Sequence, residues 1–397
     1  MYTEVQQFEP LLPADARMAP LLTKAHDLSR LASTLAGTHV PPELRSLLRN
    51  MNSYYTNRIE GQHTRPHEID QALRQDFSKD AALAAKQRLA VAHIEAEQTL
   101  EQRYQGADGA RALYSVDAVQ RIHSELFGHM IADDLLTPEH ESIVPGALRQ
   151  RDVQVGQHVA PAHASVPMFL ARWSEFYGDV RRGEAALVAL ACAHQRLGWI
   201  HPFLDGNGRV MRLHTHTWLT ALGYTGGLWS PLRGFARSTE RYYALLADAD
   251  SLRRGDLDGR SNLSEQALMA WADYVLDTCL DQVRFMAGLL DFEAIKARIE
   301  ACLVFEATVL KHGVRTEALR GLHYLFLSGE ELARGDFKVM LGMSDRGATD
   351  ALGALVKRGL LRSDSPQGKV RFGLPQHALR FLFPQLWPEA EADSADL

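Results

Sequence analysis

Cysteine is scarce, with three in 397 residues: Cys192, Cys279 and Cys302. They make no metal-ligand spacing and leave an odd thiol, which argues against a secreted disulfide framework and for a reducing compartment. Each lies in an apolar helical context, as a packing group does. No run of eighteen or more apolar residues occurs, and no basic region followed by an apolar one opens the chain. The expectation is therefore a cytoplasmic protein with no membrane partner. A strong charge of one sign is also lacking. A net charge of −6 argues against indiscriminate nucleic-acid binding by the whole chain, though a local site remains open. There is no internal repeat, no low-complexity tract and no Gly-x-x-x-x-Gly-Lys-Ser/Thr phosphate loop. With 46% hydrophobic residues, a chain of this length can bury a large core and divide into two or three domains.

What is present centres on His201-Pro202-Phe203-Leu204-Asp205-Gly206-Asn207-Gly208-Arg209-Val210-Met211-Arg212. Asp-Gly and Asn-Gly often mark hairpins, but a hairpin needs alternating flanks. Here Ala185 to Trp199 is apolar nearly all round with Leu187, Leu190, Ala191, His194 and Leu197 at helical spacing. Val210 to Ala221 continues without a breaker, and Gly223 supplies a C-terminal cap. The turn joins helix to helix. Glycines around Asn207 let successive N–H groups face one concavity at a helix N-terminus, where an anion is favoured. Arg209 and Arg212 in or near the first turn oppose the helix dipole unless an anion lies between them. A calcium loop is excluded because counting from Asp205 puts Arg209 at a ligand position and His216 where the bidentate Glu belongs. On composition alone, a plain interhelical turn with solvated arginines stays open.

The stretch resembles, at every fixed position, the His-x-Phe-x-Asp/Glu-Gly-Asn-Gly-Arg-x-x-Arg signature of the Fic family of nucleotidyl transferases. The resemblance implies a mainly α fold, a Fic-type helical core with a short β-hairpin flap. It implies transfer of AMP from ATP to a Tyr, Thr or Ser hydroxyl of a target protein or of the enzyme itself. His201 becomes the base, Asp205 the Mg²⁺ ligand, and Gly206, Asn207 and Gly208 the phosphate cradle. Arg212 engages the γ-phosphate with Arg209 beside it, and Phe203 packs to fix the loop. The chemistry suits these types. An imidazole with an ordinary pKa near ~6.5 can take a hydroxyl proton at neutral pH. One carboxylate suffices for Mg²⁺ when phosphates supply the other ligands.

Earlier in the chain, Leu11 to Ala36 and Pro42 to Tyr55 have amphipathic helical spacing. Thr56-Asn57-Arg58-Ile59-Glu60-Gly61, by itself a helical turn with a glycine stop, matches the Ser/Thr-x-x-x-Glu-Gly/Asn inhibitory pattern of many Fic proteins through Thr56, Glu60 and Gly61. The resemblance implies that Glu60 pairs with Arg212 and fills the γ-phosphate position. Ala82 to Tyr104 is expected as a long helix ended by a turn at Gly106 to Gly109, and Ser115 as the N-cap of a helix whose Val119, Ile122 and Leu126 share a face. His123 beside that face is expected as a satisfied core group. Val153 and Val155 alternate, Gly156 punctuates, and His158 to Pro161 returns, predicting a hairpin with an exposed edge. By resemblance Val153, Gln154, Val155 and Gly156 form the flap on which a target strand lies. Tyr242 and Tyr243 fall on a helix that in the family borders the base, so Tyr243 is a candidate for stacking on adenine; packing explains their spacing equally well. His214 and His216, two apart on a helix, do not face each other and are taken as structural.

In the last third, Leu332 to Met343, Asp345 to Leu361 and a turn-tipped Arg362 to Phe372 predict a winged helix. Arg346, Thr349, Lys357 and Arg358, with Lys369 and Arg371 in the wing, are offset by Asp345, Asp350 and Asp364, which leaves DNA contact and partner binding equally open. The expected domains are residues 1–110 (helical, with the inhibitory segment), 111–290 (catalytic) and 291–385 (winged helix), with an acidic tail over 386–397. The competing reading is a DNA-binding regulator with a nucleotide-sensing core; removal of AMP and another nucleotide donor are also open. A homo-oligomer that hides or frees the inhibitory helix would be an economical regulator.

Overall fold

The computed structural model describes residues 2–386 apart from 138, 157 and 180–182; the acidic tail expected beyond Trp387 lies outside the described residues. The chain divides into two compact units, one of residues 1–36, 52–64 and 68–284, the other of 37–51, 65–67 and 285–397. It is mainly helical, with two small antiparallel hairpins among the described residues.

In chain order the helices up to the first hairpin are α1 (Ala19–Ala36), α2 (Pro42–Ile59), α3 (Pro66–Leu73), α4 (Ala81–Arg103), α5 (Gly106–Ala112) and α6 (Val116–Phe127). Strands β1 (Gln154–Val155) and β2 (His158–Val159) follow, then α7 (Val166–Gly178), α8 (Glu184–Ile200), α9 (Asn207–Ala221), α10 (Leu232–Arg237), α11 (Thr239–Asp248) and α12 (Glu265–Leu289). The apolar run before the turn is α8, buried from Ala186 to Leu197. It packs against α1, α7 and α9, while α9 also touches α4, α5 and α6. Even α8's carbonyls are used from outside: the Trp173 indole N–H donates to Ala193 O (3.0 Å) and that of Trp271 to Ala191 O (2.7 Å). A helix buried on all sides needs no amphipathic stripe, which is why its sequence shows none.

Three boundaries differ from the sequence expectation. The first helix begins at Ala19, not Leu11, because Pro10 and Pro13 withhold N–H donors from a helix there. Helix α2 runs on to Ile59, so Thr56 and Asn57 sit on its last turn. The Gly106–Gly109 segment is the start of α5, not a turn, with Asp108 in its first turn and Ala110 buried; packing against α9 outweighs the glycines' weak propensity. Ser115 caps α6 as expected, accepting the Ala118 N–H at 3.1 Å.

The second unit contains α13 (Phe292–Val304), α14 (Leu319–Ser328), α15 (Arg334–Leu341), α16 (Asp345–Lys357), β3 (Leu361–Arg362), β4 (Arg371–Phe372) and α17 (Gln376–Leu382). Strands β3 and β4 pair antiparallel, and Leu332 bridges Val370 beside them. A π-type turn over Phe305–Val309 buries Glu306, whose carboxylate accepts two bonds from Arg358, both 2.8 Å. All three cysteines are buried and free. No helix among the described residues is long and apolar enough to cross a membrane.

Candidate active site

The motif turn is built from the end of α8 to the start of α9. His201 ends α8 in the left-handed region (φ 49°, ψ 60°), its N–H donating to Leu197 O at 3.2 Å. That conformation costs a non-glycine residue about 1–2 kcal/mol, so its surroundings must impose it. Phe203 is fully buried and stacks on the His123 ring, centroids 4.1 Å apart. His123 Nδ1 accepts the Gly146 N–H (2.8 Å), which leaves its Nε2 protonated to donate to Asp205 O (3.2 Å). Burial pushes its pKa down to about 4, so it stays the neutral tautomer these bonds require. The Asn207 side chain closes the turn, accepting the Phe203 N–H at 2.9 Å and donating to Phe203 O at 2.8 Å. It braces the turn, so any phosphate contact from Asn207 falls to its backbone. Gly206, at φ 78°, begins α9; a Cβ there would sit 2.5 Å from the Phe127 ring.

Both arginines are buried beneath the cradle and bonded to the end of α2. Arg209 Nε donates to Asn57 Oδ1 (3.2 Å), and Arg212 Nε to Thr56 Oγ1 (2.8 Å). Arg212 Nη2 donates to Thr56 O (3.3 Å) and to Glu60 Oε1 (2.5 Å). The Glu60 carboxylate lies directly over the cradle, since a Cβ on Gly208 would fall 2.1 Å from its Oε1. Burial opposes the Glu60 charge, but Arg212 and Arg209, with the bond from Arg212, outweigh it and hold the carboxyl below its ordinary pKa. The two cations at the α9 N-terminus therefore have their anion, supplied by the chain itself.

His201 is half-buried beside these groups. Burial, then the charges of His158 and Arg149, push its pKa down to about 4, with a backbone bond at Gly198 and then Glu60 pulling the other way. The imidazole is neutral at physiological pH, the state in which it can accept a proton. Asp205 is half-exposed and makes no ion pair among the described residues; one oxygen accepts the Gly206 N–H at 2.6 Å. A lone carboxylate with a second oxygen to offer fits a Mg²⁺ ion that takes its remaining ligands from phosphates and water. Beside it opens a groove of about 350 Å³ lined by Asp205, Arg209, Phe127, Met130, Leu136 and Gln62.

The flap forms where expected, with Gln154 paired to Val159 and Val155 to His158, and with Gly156 in its turn. Val153 precedes β1, and Val155 is exposed. Tyr242 is wholly buried: its hydroxyl donates to His194 Nε2 (3.0 Å), and His194 Nδ1 in turn donates to Thr215 Oγ1 (2.7 Å). Tyr243 is exposed over part of its ring, but its hydroxyl donates to Ile59 O (3.1 Å), tying down the segment that carries Glu60. Sequence reasoning missed Asn57, the partner of Arg209, and Arg149 and His158, which bond the end of α8; nothing in their local sequence sets them apart.

One buried cluster lies off the site. His216 on α9 stands between Glu101 (3.1 Å) and Glu97 (3.4 Å) of α4, the one His/carboxylate group among the described residues compact enough to hold a metal ion. Burial alone would lower its pKa, but the two carboxylates push it up to about 10, so it acts as a buried cation. A group raised above its unfolded value of about 6.5 stabilises fully below that value and loses its contribution as pH rises through the folded value. The melting temperature should therefore fall between about pH 7 and pH 10, and the fall should flatten in His216→Gln; equal slopes in the two proteins would refute this.

Comparison with known proteins adds to this geometry. Residues 113–219 match the Fic/DOC family. The matched segment runs from just before α6 to near the end of α9 and so contains the motif turn and the first hairpin. Over 127 residues the chain is 29% identical to the protein adenylyltransferase Fic of Drosophila mojavensis, covering 32% of this chain and 23% of that one. Over 111 residues it is 30% identical to the protein of the same name from Drosophila ananassae, covering 28% and 20%. The chain thus aligns with only about a fifth of the length of these relatives. In fold it is similar to a Fic family protein from Desulfovibrio desulfuricans, with a TM-score of 0.53 and 18% identity over 92% of this chain and 99% of that one. It is also similar to Fic-1 from C. elegans, with a TM-score of 0.50 and 18% identity over 69% and 75%.

Proposed function

We propose that the chain is an autoinhibited protein adenylyltransferase that moves AMP from ATP to a hydroxyl side chain of a protein. The observation that carries the reading is the Glu60 carboxylate seated on the cradle glycine Gly208 and bonded to buried Arg212, next to a neutral His201. In this reading Glu60 takes the place of the γ-phosphate. Once it leaves, the two arginines and the α9 N-terminus hold the triphosphate with its α-phosphate near His201. A target strand adds to the edge of β1 and brings its hydroxyl to the imidazole. The hydroxyl oxygen attacks the α-phosphorus while His201 takes its proton; the bond to the β-phosphate breaks, and pyrophosphate departs. Mg²⁺ bound through Asp205 would neutralise phosphate charge during this exchange.

The test is ATP labelled at either the α- or the γ-phosphate, incubated with Glu60→Gly protein and cell lysate. Protein should acquire the α-label and not the γ-label. Transfer of the γ-label would mean phosphorylation, and transfer of neither would move the reading to another donor nucleotide.

The Tyr243 bond to Ile59 O bears on the same latch. A net hydrogen bond contributes about 1 kcal/mol, so Tyr243→Phe should raise the basal rate of the otherwise unaltered protein roughly fivefold. A rate equal to wild type would show that the bond does not restrain the segment.

Of the three arginines read into a DNA-binding winged helix over residues 291–385, Arg346 is exposed, while Arg358 and Arg371 are held in ion pairs. Arg358 is bonded to Glu306, and Arg371 to Glu43, Glu331 and Asp364. Thr349 accepts from Lys338, which also pairs with Asp345.

A further inference from the structure

Arg149 has no part in the reaction above, yet it is 4% exposed and its guanidinium is directed entirely at backbone carbonyls. Nε donates to His201 O (2.8 Å), Nη1 to Arg151 O (2.8 Å) and Nη2 to Pro161 O (2.6 Å). Its backbone N–H donates to Pro202 O (2.9 Å). The planar fork of donors thus spans three points that matter to one another: the base residue, the chain just before β1 and the chain just after β2. From within the hairpin, His158 reaches the same helix end. Its Nε2–H donates to Trp199 O (2.8 Å), while Nδ1 lies 3.3 Å from Asp250 Oδ2. Asp250 is itself fixed by Gln195 Nε2 on its other oxygen, at 2.7 Å.

Trp199 and His201 fall at the C-terminal end of α8, where carbonyls lack intrahelical donors. Two side chains from the flap region supply those donors. The same contacts account for the left-handed backbone of His201, which the residue would not adopt unaided. A hairpin with two residues in each strand has little stability of its own, so its position must come from side-chain anchors.

We infer that Arg149 and His158 are positioning residues that fasten the flap to the end of α8, so that a target strand lying on β1 and the imidazole of His201 hold one fixed register. The inference rests on the proposed roles of His201 and the flap. Neither residue touches the reacting atoms. Each acts through the carbonyls it holds, and a misplacement of about 1 Å at a reacting centre can cost on the order of 100-fold in rate.

The experiment compares Arg149→Met, His158→Ala and His158→Gln, each in the Glu60→Gly background, by kcat and KM for the modified protein, by equilibrium binding of a non-hydrolysable ATP analogue and by amide hydrogen exchange over residues 152–160. Arg149→Met should lower kcat on the order of 100-fold, leave nucleotide affinity within about twofold and speed flap exchange. His158→Ala should lower kcat about tenfold, and His158→Gln, which keeps a donor for Trp199 O, should restore most of it. Unchanged kcat and exchange in a folded Arg149→Met protein would overturn the inference, as would a His158→Gln protein no better than His158→Ala. If Arg149→Met does not fold, the His158 pair decides. If the Glu60→Gly parent transfers nothing, the functional reading has failed, and flap exchange alone judges the clamp: rates in His158→Ala equal to those of the parent would overturn it.

Discussion

Glu60→Gly should raise AMP transfer about 30- to 150-fold. Two unit charges about 4 Å apart attract by roughly 4 kcal/mol at an effective dielectric near 20, and an exposed pair contributes about 1 kcal/mol or less. The Arg212 side chain is fully buried and that of Glu60 is 28% exposed, which places this pair between the limits. A contribution of about 2–3 kcal/mol, at 1.36 kcal/mol per factor of ten, gives the stated range. Removal of the side chain also vacates the space above Gly208, so the cradle and both arginines become available to phosphate together. Glu60→Gln, which keeps the volume and loses the charge, should fall between wild type and Glu60→Gly. The check is initial rates with α-labelled ATP at saturating target. Equal rates for wild type and Glu60→Gly, in a protein that His201→Ala silences, would remove the inhibitory role while leaving the enzyme intact. The sign of the Glu60 shift also limits how the latch opens. A carboxyl held below its ordinary pKa stays charged throughout the neutral and mildly acidic range, and the pair weakens only as pH falls through the lowered value. Mild acid should therefore not activate the wild-type protein.

His201→Ala in the Glu60→Gly background should lose 10²- to 10⁴-fold in kcat, the usual contribution of a positioned base, with nucleotide affinity little changed. The pH dependence makes the prediction sharper. Burial and the neighbouring His158 and Arg149 put the imidazole pKa at about 4, so the proton-accepting form predominates above that value. Plotted for Glu60→Gly, kcat/KM should be level from about pH 5.5 upward and fall only toward pH 4. Because the Glu60 charge, after a backbone bond at Gly198, raises the His201 pKa, loss of that charge moves the acid limb lower, not higher. An acid limb near about 6.5, the value of an unperturbed histidine, would show that the base titrates in a more open and less charged setting than this one.

The motif stretch was legible because its chemistry is local. An imidazole, a carboxylate, a glycine turn and two arginines lie within twelve residues, the apolar run through Leu190 and Leu197 makes the first flanking helix plain, and the resemblance to the Fic signature, not spacing, implied their roles. The His123 reading was legible for a similar reason, since a lone histidine beside an apolar face has few roles other than a satisfied core group, and it holds two backbone partners. Asn207 was read as part of the cradle, yet its side chain is committed to Phe203 four residues back, a contact that depends on how tightly the turn closes. Tyr243 had two readings, stacking on adenine by resemblance and core packing by spacing, and the fold adds a hydrogen-bond partner neither foresaw, Ile59, 184 positions away in the chain. His216 was set aside as structural because it cannot face His214. Its charge comes instead from Glu97 and Glu101 on α4, more than a hundred residues earlier.

The sequence by itself determined the mainly helical class, the place of the motif turn, the hairpin and the residue types available for acid–base and phosphate chemistry, because each depends on neighbours within about a dozen positions. Only the tertiary structure decided what those residues meet. It set Glu60 on Gly208 and Arg212, bent His201 into a left-handed conformation held by Arg149, and lowered the pKa values of His123 and His201 while raising that of His216. Burial and pairing depend on distance in space, and a buried charge takes its partner from whichever helix the packing of the core brings against it.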